Sequence, residues 1–321
     1  MKRPISIVAY NRPEYFEPVL KSLAPQVEED RKVLMFIDGR RRHFGKEFEE
    51  QDKKGIDECK RLFKYYLPHG ECVESDVNLG VAFNQLRARE KMFENNEEVI
   101  FLEDDAVLQP YYIRQLDRLM DFFKDDERVG MVNCFGEAHR DKENYESYPY
   151  IKKDENNTGK TTSYAEQEEN KDKLKAMDHL WAYGFYRRAY EKVKETMKGY
   201  YDLIPRNEYR ARPHEKIMQF WKELGSSSNI VSSQDSGTAT ALILNGFIKI
   251  STYTNNFTYI GVWGEHSRPD NFDNAGWNDC VTYNKEQFDF SWNEQTFSHM
   301  KTRLKEKYTS ERIYDSFKLK I

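Results

Sequence analysis

Residues Val99–Pro110 read VIFLEDDAVLQP. Four apolar residues, Val99 to Leu102, run straight into three carboxylates, Glu103, Asp104 and Asp105, and the chain turns apolar again at once. A short apolar run of this kind is consistent with a strand buried on both faces. Three adjacent like charges repel one another, and beside a buried strand they need compensation. In open α/β sheets, ligands bind beyond the carboxyl ends of the strands. Hard divalent cations such as Mg²⁺ and Mn²⁺ take carboxylate oxygens together with substrate phosphates. A metal at this strand end would relieve the repulsion; a solvated acidic turn is the plain alternative.

The flanking sequence supplies the sheet. ISIVAY (5–10) reads as a buried strand, and Pro13 suits the first turn of a helix whose apolar face is Tyr15, Phe16, Val19, Leu20 and Leu23. VLMFID (33–38) is a second strand, ending in an acid before Gly39. A polar stretch follows with a helical portion around residues 59–65, then a short strand at 71–75 and a helix carrying Ala82, Phe83, Leu86 and Phe93. Another helix after Pro110 precedes the strand VGMVN (129–133). This alternation is the pattern of a mainly parallel α/β sheet. Residues 137–175 contain almost no aliphatic side chains and are dense in Lys, Glu, Asp and Asn, so a polar flexible loop is expected there. Beyond it come an aromatic-rich segment at 179–193, a helix with Ile217, Phe220, Trp221 and Leu224, a helix at 233–246 closed by Gly246, a strand at 247–252 and a terminal helical region.

Composition narrows the class. With 38% hydrophobic and 14% aromatic residues, the chain of 321 residues has enough apolar material for a core. Fifty basic against 55 acidic residues give a net charge of -5, so no basic field exists to hold a nucleic acid. The start, MKRPISIVAYNRPEY, lacks a secretory apolar region, and no run of 18 apolar residues occurs. A cytoplasmic protein without a membrane span, free or peripheral to a membrane surface, is the expectation. Cys59, Cys72, Cys134 and Cys280 show no CxxC spacing and read as reduced thiols.

VIFLEDDAVLQPYYIRQLDRLM resembles the metal-binding segment of GT-A glycosyltransferases, in which an acidic motif of the D-x-D type follows a central strand. SIVAYNRPEYFEPVLKSL, VLMFIDGRR, DVNLGVAFNQLR, DHLWAYGFYRRAYE and SQDSGTATALILNGFIKISTYTNNFTYIGVWGEHS are similar to other segments of that family, in the same order. The likeness is to family-2-like bacterial enzymes and to the N-acetylglucosaminyltransferase I type. It spans about residues 4–268 without the 137–175 loop.

The resemblance implies a GT-A, Rossmann-like α/β fold, a mainly parallel sheet flanked by helices with a C-terminal acceptor-side extension. It divides one continuous domain into a nucleotide-sugar half (1–135), the polar loop (136–175) and an acceptor-binding half with the terminal helical region (176–321). It implies that Tyr10, Arg12, Asp38, Asn78, Gly80, Glu103 and Asp104 hold the donor. Asp105 and His266 would meet an Mn²⁺ or Mg²⁺ ion, Asp235 would be the general base, and Trp181, Tyr183 and Trp263 would offer an aromatic platform to the acceptor. The implied activity is metal-dependent, inverting transfer of a sugar from a UDP-, GDP- or dTDP-linked donor to a hydroxyl of a glycan or other acceptor. Two alternatives stand beside it. A sugar-nucleotide pyrophosphorylase needs a glycine-rich loop where this chain has AYNRPEY. A carbohydrate-binding or scaffold protein on an inactive transferase fold would bind sugar without turning over a donor.

Overall fold

The computed structural model describes residues 2–42, 45–136, 148, 150–159, 161–205, 209–227, 232–264, 267–287 and 289–310. The chain opens with β1 (Ile5–Ala9), α1 (Pro13–Leu23), β2 (Val33–Ile37), α2 (Lys46–Tyr66), β3 (Glu71–Glu74), α3 (Gly80–Phe93) and β4 (Glu98–Glu103). Strands β1 and β2 are apolar at almost every position because both sheet faces are covered. Pro13 occupies the first turn of α1, where its missing N–H costs nothing, and Phe16, Val19, Leu20 and Leu23 form the buried stripe. Helix α2 is far longer than its polar composition suggests. Ile56, Cys59, Leu62 and Phe63 supply one apolar stripe, and the acid at Asp52 is buried with them. A solvated helix needs only that one stripe to dock.

Next come β5 (Ala106–Leu108), α4 (Tyr112–Phe122) and β6 (Val129–Asn133). Where a polar loop was expected, residues 137–147 lie outside the described residues, but the remainder holds α5 (Tyr164–Glu169) and β7 (Leu174–Ala176). Buried amides do there what aliphatics do elsewhere. Gln167 donates to the Val281 carbonyl (2.8 Å) and accepts from the Asn255 N–H (2.8 Å), and Asn170 donates to the Lys152 carbonyl (2.7 Å). Hydropathy counts such residues as loop-forming, yet fully paired amides are compatible with burial.

The chain then forms β8 (Ala182–Tyr186), α6 (Arg187–Leu203), α7 (His214–Glu223), α8 (Gln234–Leu244), β9 (Ile248–Thr252), β10 (Phe257–Tyr259), α9 (Pro269–Asn274) and α10 (Glu294–Tyr308). Gly246 follows α8 at φ +84°, a conformation that favours glycine. The main sheet has eight strands in the order β3-β2-β1-β4-β8-β6-β9-β7, and β10 pairs with β5 in a separate two-stranded sheet. In the main sheet β8 runs antiparallel to β4 and β6, and β7 antiparallel to β9, while the other pairings there are parallel; β10 and β5 are antiparallel. Strands from both halves of the sequence therefore share one α/β sheet flanked by helices. No helix among the described residues is long and apolar enough to cross a membrane.

The topology places a crevice. From β1 the chain steps outward to β2 and β3, then returns to lay β4 on the opposite side of β1, with Val8 beside Glu103. Strand order reverses between β1 and β4, and a doubly wound sheet binds ligands at such a switch point, beyond the carboxyl ends. Arg12 follows one of those ends and Glu103–Asp105 the other.

Candidate active site

The acidic triplet does not face water as a bare cluster. The Arg12 guanidinium hydrogen-bonds Asp104 and reaches Asp105 Oδ2 at 3.0 Å, so one cation from the β1 end bridges two acids from the β4 end. Asp105 is buried and its Oδ1 has no hydrogen-bond partner. Burial and the Asp104 charge push its carboxyl up to about 6, while Arg12 pulls it down. Glu103 is held differently: its backbone N–H donates to the Trp181 carbonyl (2.9 Å) and its Oε1 accepts from Gln85 (2.7 Å). Burial raises its carboxyl well above the usual range, and the charges of Asp235, Asp105 and Asp104 add to that. Asp235, some 130 residues away in sequence on α8, thus belongs to the same electrostatic cluster as the β4 acids.

Asp235 lies in the first turn of α8, and the N-cap is Ser233, whose hydroxyl accepts from the Ser236 N–H. Its Oδ1 is buried without a hydrogen-bond partner. A half-buried carboxylate with one sheltered, unpartnered oxygen, raised by desolvation, has the features of a proton acceptor.

The β2 end is organised around Asp38. Its carboxylate accepts from the backbone N–H groups of Gly39 (2.8 Å), Leu79 (2.8 Å) and Gly80 (2.9 Å), and Asn78 Nδ2 lies 3.3 Å away. Gly80 begins α3 at φ +73°, which favours glycine. The exposed N–H groups at this helix start attract an anion, and here the anion is the protein's own. The structure therefore gives Asp38, Asn78 and Gly80 a shared task in shaping this turn.

Around Tyr10 the sequence reading missed three residues. Asn11 donates to Asp52 Oδ1 (2.6 Å), and Arg41 binds Asp52 through its backbone N–H (2.9 Å), Nε (3.0 Å) and Nη2 (2.8 Å). The Arg41 guanidinium lies 5.8 Å from the centre of the Tyr10 ring. Asn11 and Arg41 follow strand ends, which is a usable signal; Asp52 sits in a run of charged helix residues and carries none.

The aromatic residues separate. Trp181 is stacked between His179, at 4.1 Å, and Tyr259, at 3.9 Å, and Tyr259 stacks in turn on Phe272. Both faces of the Trp181 indole are covered, so it does not offer the flat platform expected for a sugar. It anchors the carbonyl that holds Glu103 and packs Tyr259 near Asp105. Tyr183 is likewise stacked on Phe101 and accepts from Arg89. Trp263 differs: it is 59% exposed, its backbone N–H donates to Tyr15 Oη (3.2 Å) and its backbone carbonyl accepts from Arg12 (3.4 Å). That puts it at the Arg12 edge of the crevice. His266 lies outside the described residues.

No family model matches the sequence, and no curated protein matches it. Among solved structures, the chain is similar to the mannosyltransferase PcManGT from Pyrobaculum calidifontis, in complex with GDP-Man and Mn²⁺, at 16% identity and a TM-score of 0.42. The match covers 78% of this chain and 55% of that one. It is also similar to residues 1–349 of S. aureus TarS, at 14% identity and a TM-score of 0.38, over 80% of this chain and 59% of that one. A second TarS structure matches at 12% identity and a TM-score of 0.33, over 78% and 36%. The chain spans less than two thirds of each of these proteins. Likeness at this level says nothing of activity, which rests on the side chains.

Proposed function

We propose that this chain is a GT-A-type glycosyltransferase that moves a sugar from a nucleotide diphosphate sugar to an acceptor hydroxyl with inversion. The observation that supports it most is the convergence at the sheet's switch point of the Arg12-bridged acids Asp104 and Asp105 with Glu103 and the uncapped Asp235. Arg12 would meet the donor's diphosphate, and Trp263 and the Tyr10–Arg41 pair would border its nucleoside. Glu103, whose carboxyl is raised by burial, is suited to hydrogen-bonding a sugar hydroxyl. Asp235 Oδ1 takes the proton of the acceptor hydroxyl as the hydroxyl oxygen bonds to the anomeric carbon and the bond from that carbon to the diphosphate breaks, its electron pair leaving with the diphosphate.

A divalent cation fits the donor set in one respect. Asp105 Oδ1 is a buried oxygen without a partner, and Mg²⁺ or Mn²⁺ commonly binds one or two carboxylates and completes its shell with phosphates and water. Among the described residues no group of three or more His, Cys, Asp or Glu side chains forms a complete cage. Asp105 would therefore hold the ion, with His266 the other candidate ligand from sequence. A bound ion would supply Lewis-acid stabilisation of the departing diphosphate.

A panel of UDP-, GDP- and dTDP-sugars with Mn²⁺ tests the reading. A matching donor at about 100 times its Kd should add roughly 2.7 kcal/mol of stability, and nucleotide release should follow when acceptor is supplied. Stabilisation by free sugars with no nucleotide effect would overturn it in favour of a carbohydrate-binding protein.

Gly261 gives a second test. A Cβ there would lie 2.6 Å from Asp105 Oδ2 and 2.5 Å from Tyr259 Oη, closer than real contacts allow. Gly261→Ala should push Asp105 off Arg12 and weaken nucleotide binding about tenfold, the loss of one charge-assisted contact. Calorimetric titration reads this directly; an unchanged Kd would detach Asp105 from the donor site.

A further inference from the structure

Arg89 on α3, Arg212 before α7 and Lys249 on β9 are 3%, 5% and 0% exposed. Burying a cation is costly unless an anion pairs with it. None of the three forms a salt bridge among the described residues; each is tied to neutral groups. Arg89 donates to Thr238 Oγ1 (2.9 Å), Gln85 Oε1 (3.0 Å) and Tyr183 Oη (2.8 Å). Arg212 donates to Tyr200 Oη (2.9 Å) and the Ser232 carbonyl (3.2 Å). Lys249 donates to the Asp178 carbonyl (3.0 Å) and Tyr308 Oη (3.1 Å). Arg89 thus reaches Thr238 within α8 and Arg212 the Ser232 carbonyl just before it, while Lys249 on β9 acts on the Asp235 carboxyl through its charge alone; Asp235 sits in the first turn of α8 with Oδ1 unpartnered.

We propose that Arg89, Arg212 and Lys249 are positioning residues that act through Asp235, a shell of fixed cations that favours its ionised carboxylate while leaving Oδ1 free to accept a proton. The inference rests on Asp235 being the base. A direct salt bridge would stabilise the charge but occupy the lone pair the reaction uses. Cations held off by neutral partners act through the low-dielectric interior without donating to it. Burial raises the Asp235 carboxyl, and Arg89, His179, Lys249 and Arg212 each pull it back. Glu103 from β4, Tyr183 from β8, and Tyr200 and Tyr201 from α6 also feel this carboxylate.

Infrared titration of the whole protein tests the shell without reference to turnover. The carboxyl band that disappears in Asp235→Asn identifies the group and its midpoint. Lys249→Gln keeps a donor for Asp178 and Tyr308 but removes the charge, and should raise that midpoint by about one pH unit. Lys249→Arg should restore it. An unchanged midpoint in a folded Lys249→Gln protein overturns the proposal. If that variant does not fold, Arg212→Gln carries the same test with the same two outcomes. In active protein the acid limb of the kcat/KM profile should move with the midpoint. A midpoint that moves while the profile stays fixed would support the shell and remove Asp235 from the base role.

Discussion

Asp235→Asn is expected to cut sugar-transfer turnover by about 10²–10⁴-fold at saturating acceptor, with donor Kd within about threefold of wild type. The size follows from the role, because a general base acts on the transition state and contributes little to holding the donor. The structure removes the simplest rival explanation. Had Asp235 capped α8, Asn would have served nearly as well, since both cap strongly; the cap is Ser233, and Asp235 lies within the first turn. There an acid gains about 0.3–1 kcal/mol from the helix dipole, so Asn should leave the fold nearly as stable. A variant with the wild-type melting temperature and a rate within about threefold of wild type would make Asp235 structural. Because burial opposes its ionisation, turnover should also fall on acidification, from a pH above the ordinary aspartate range.

The sequence showed the parts of this site whose signal is local. An apolar run ending in three acids marks a buried strand and its rim, and both Arg12 and Asp105 follow strand ends. Residues that act at long range left little trace. Asp52 is one charge among many in α2, and its burial becomes visible only when Arg41 and Asn11 close on it. Arg89 and Lys249 look like ordinary surface cations in a helix and a strand until the sheet packs helices over them. Asp38 was legible as an acid at a strand end, but its local partners were not. An acid at a strand end suggests a ligand, but the start of α3 folds back so that its amides occupy that carboxylate. Trp181 was legible as a large aromatic near the site; that both its faces are covered depends on Tyr259, which arrives from a strand in the smaller sheet. Periodicity reads faces of single elements, whereas these roles arise between elements.

Asp105→Asn should weaken Mn²⁺-dependent nucleotide binding by about 100-fold or more, since it removes a ligand charge where loss of supporting contacts alone typically costs 10–100-fold. The fold should survive, because Asp104 still pairs with Arg12 and the substitution is nearly isosteric. The pH dependence makes the assignment specific. Burial first, then the charge of Asp104, raise the Asp105 carboxyl to about 6 against the pull of Arg12. A metal ion needs the ionised carboxylate and so competes with a proton. In wild-type protein, affinity for the metal–nucleotide pair should be flat above that pH and fall about tenfold per unit below it. The Asn variant has no proton to lose at this position, so its residual binding should lack that limb. If nucleotide binds wild type and variant equally with Mn²⁺ present, and equally when the ion is chelated, then Arg12 alone neutralises the diphosphate. The acids of the β4 end would then serve to hold Arg12 in place.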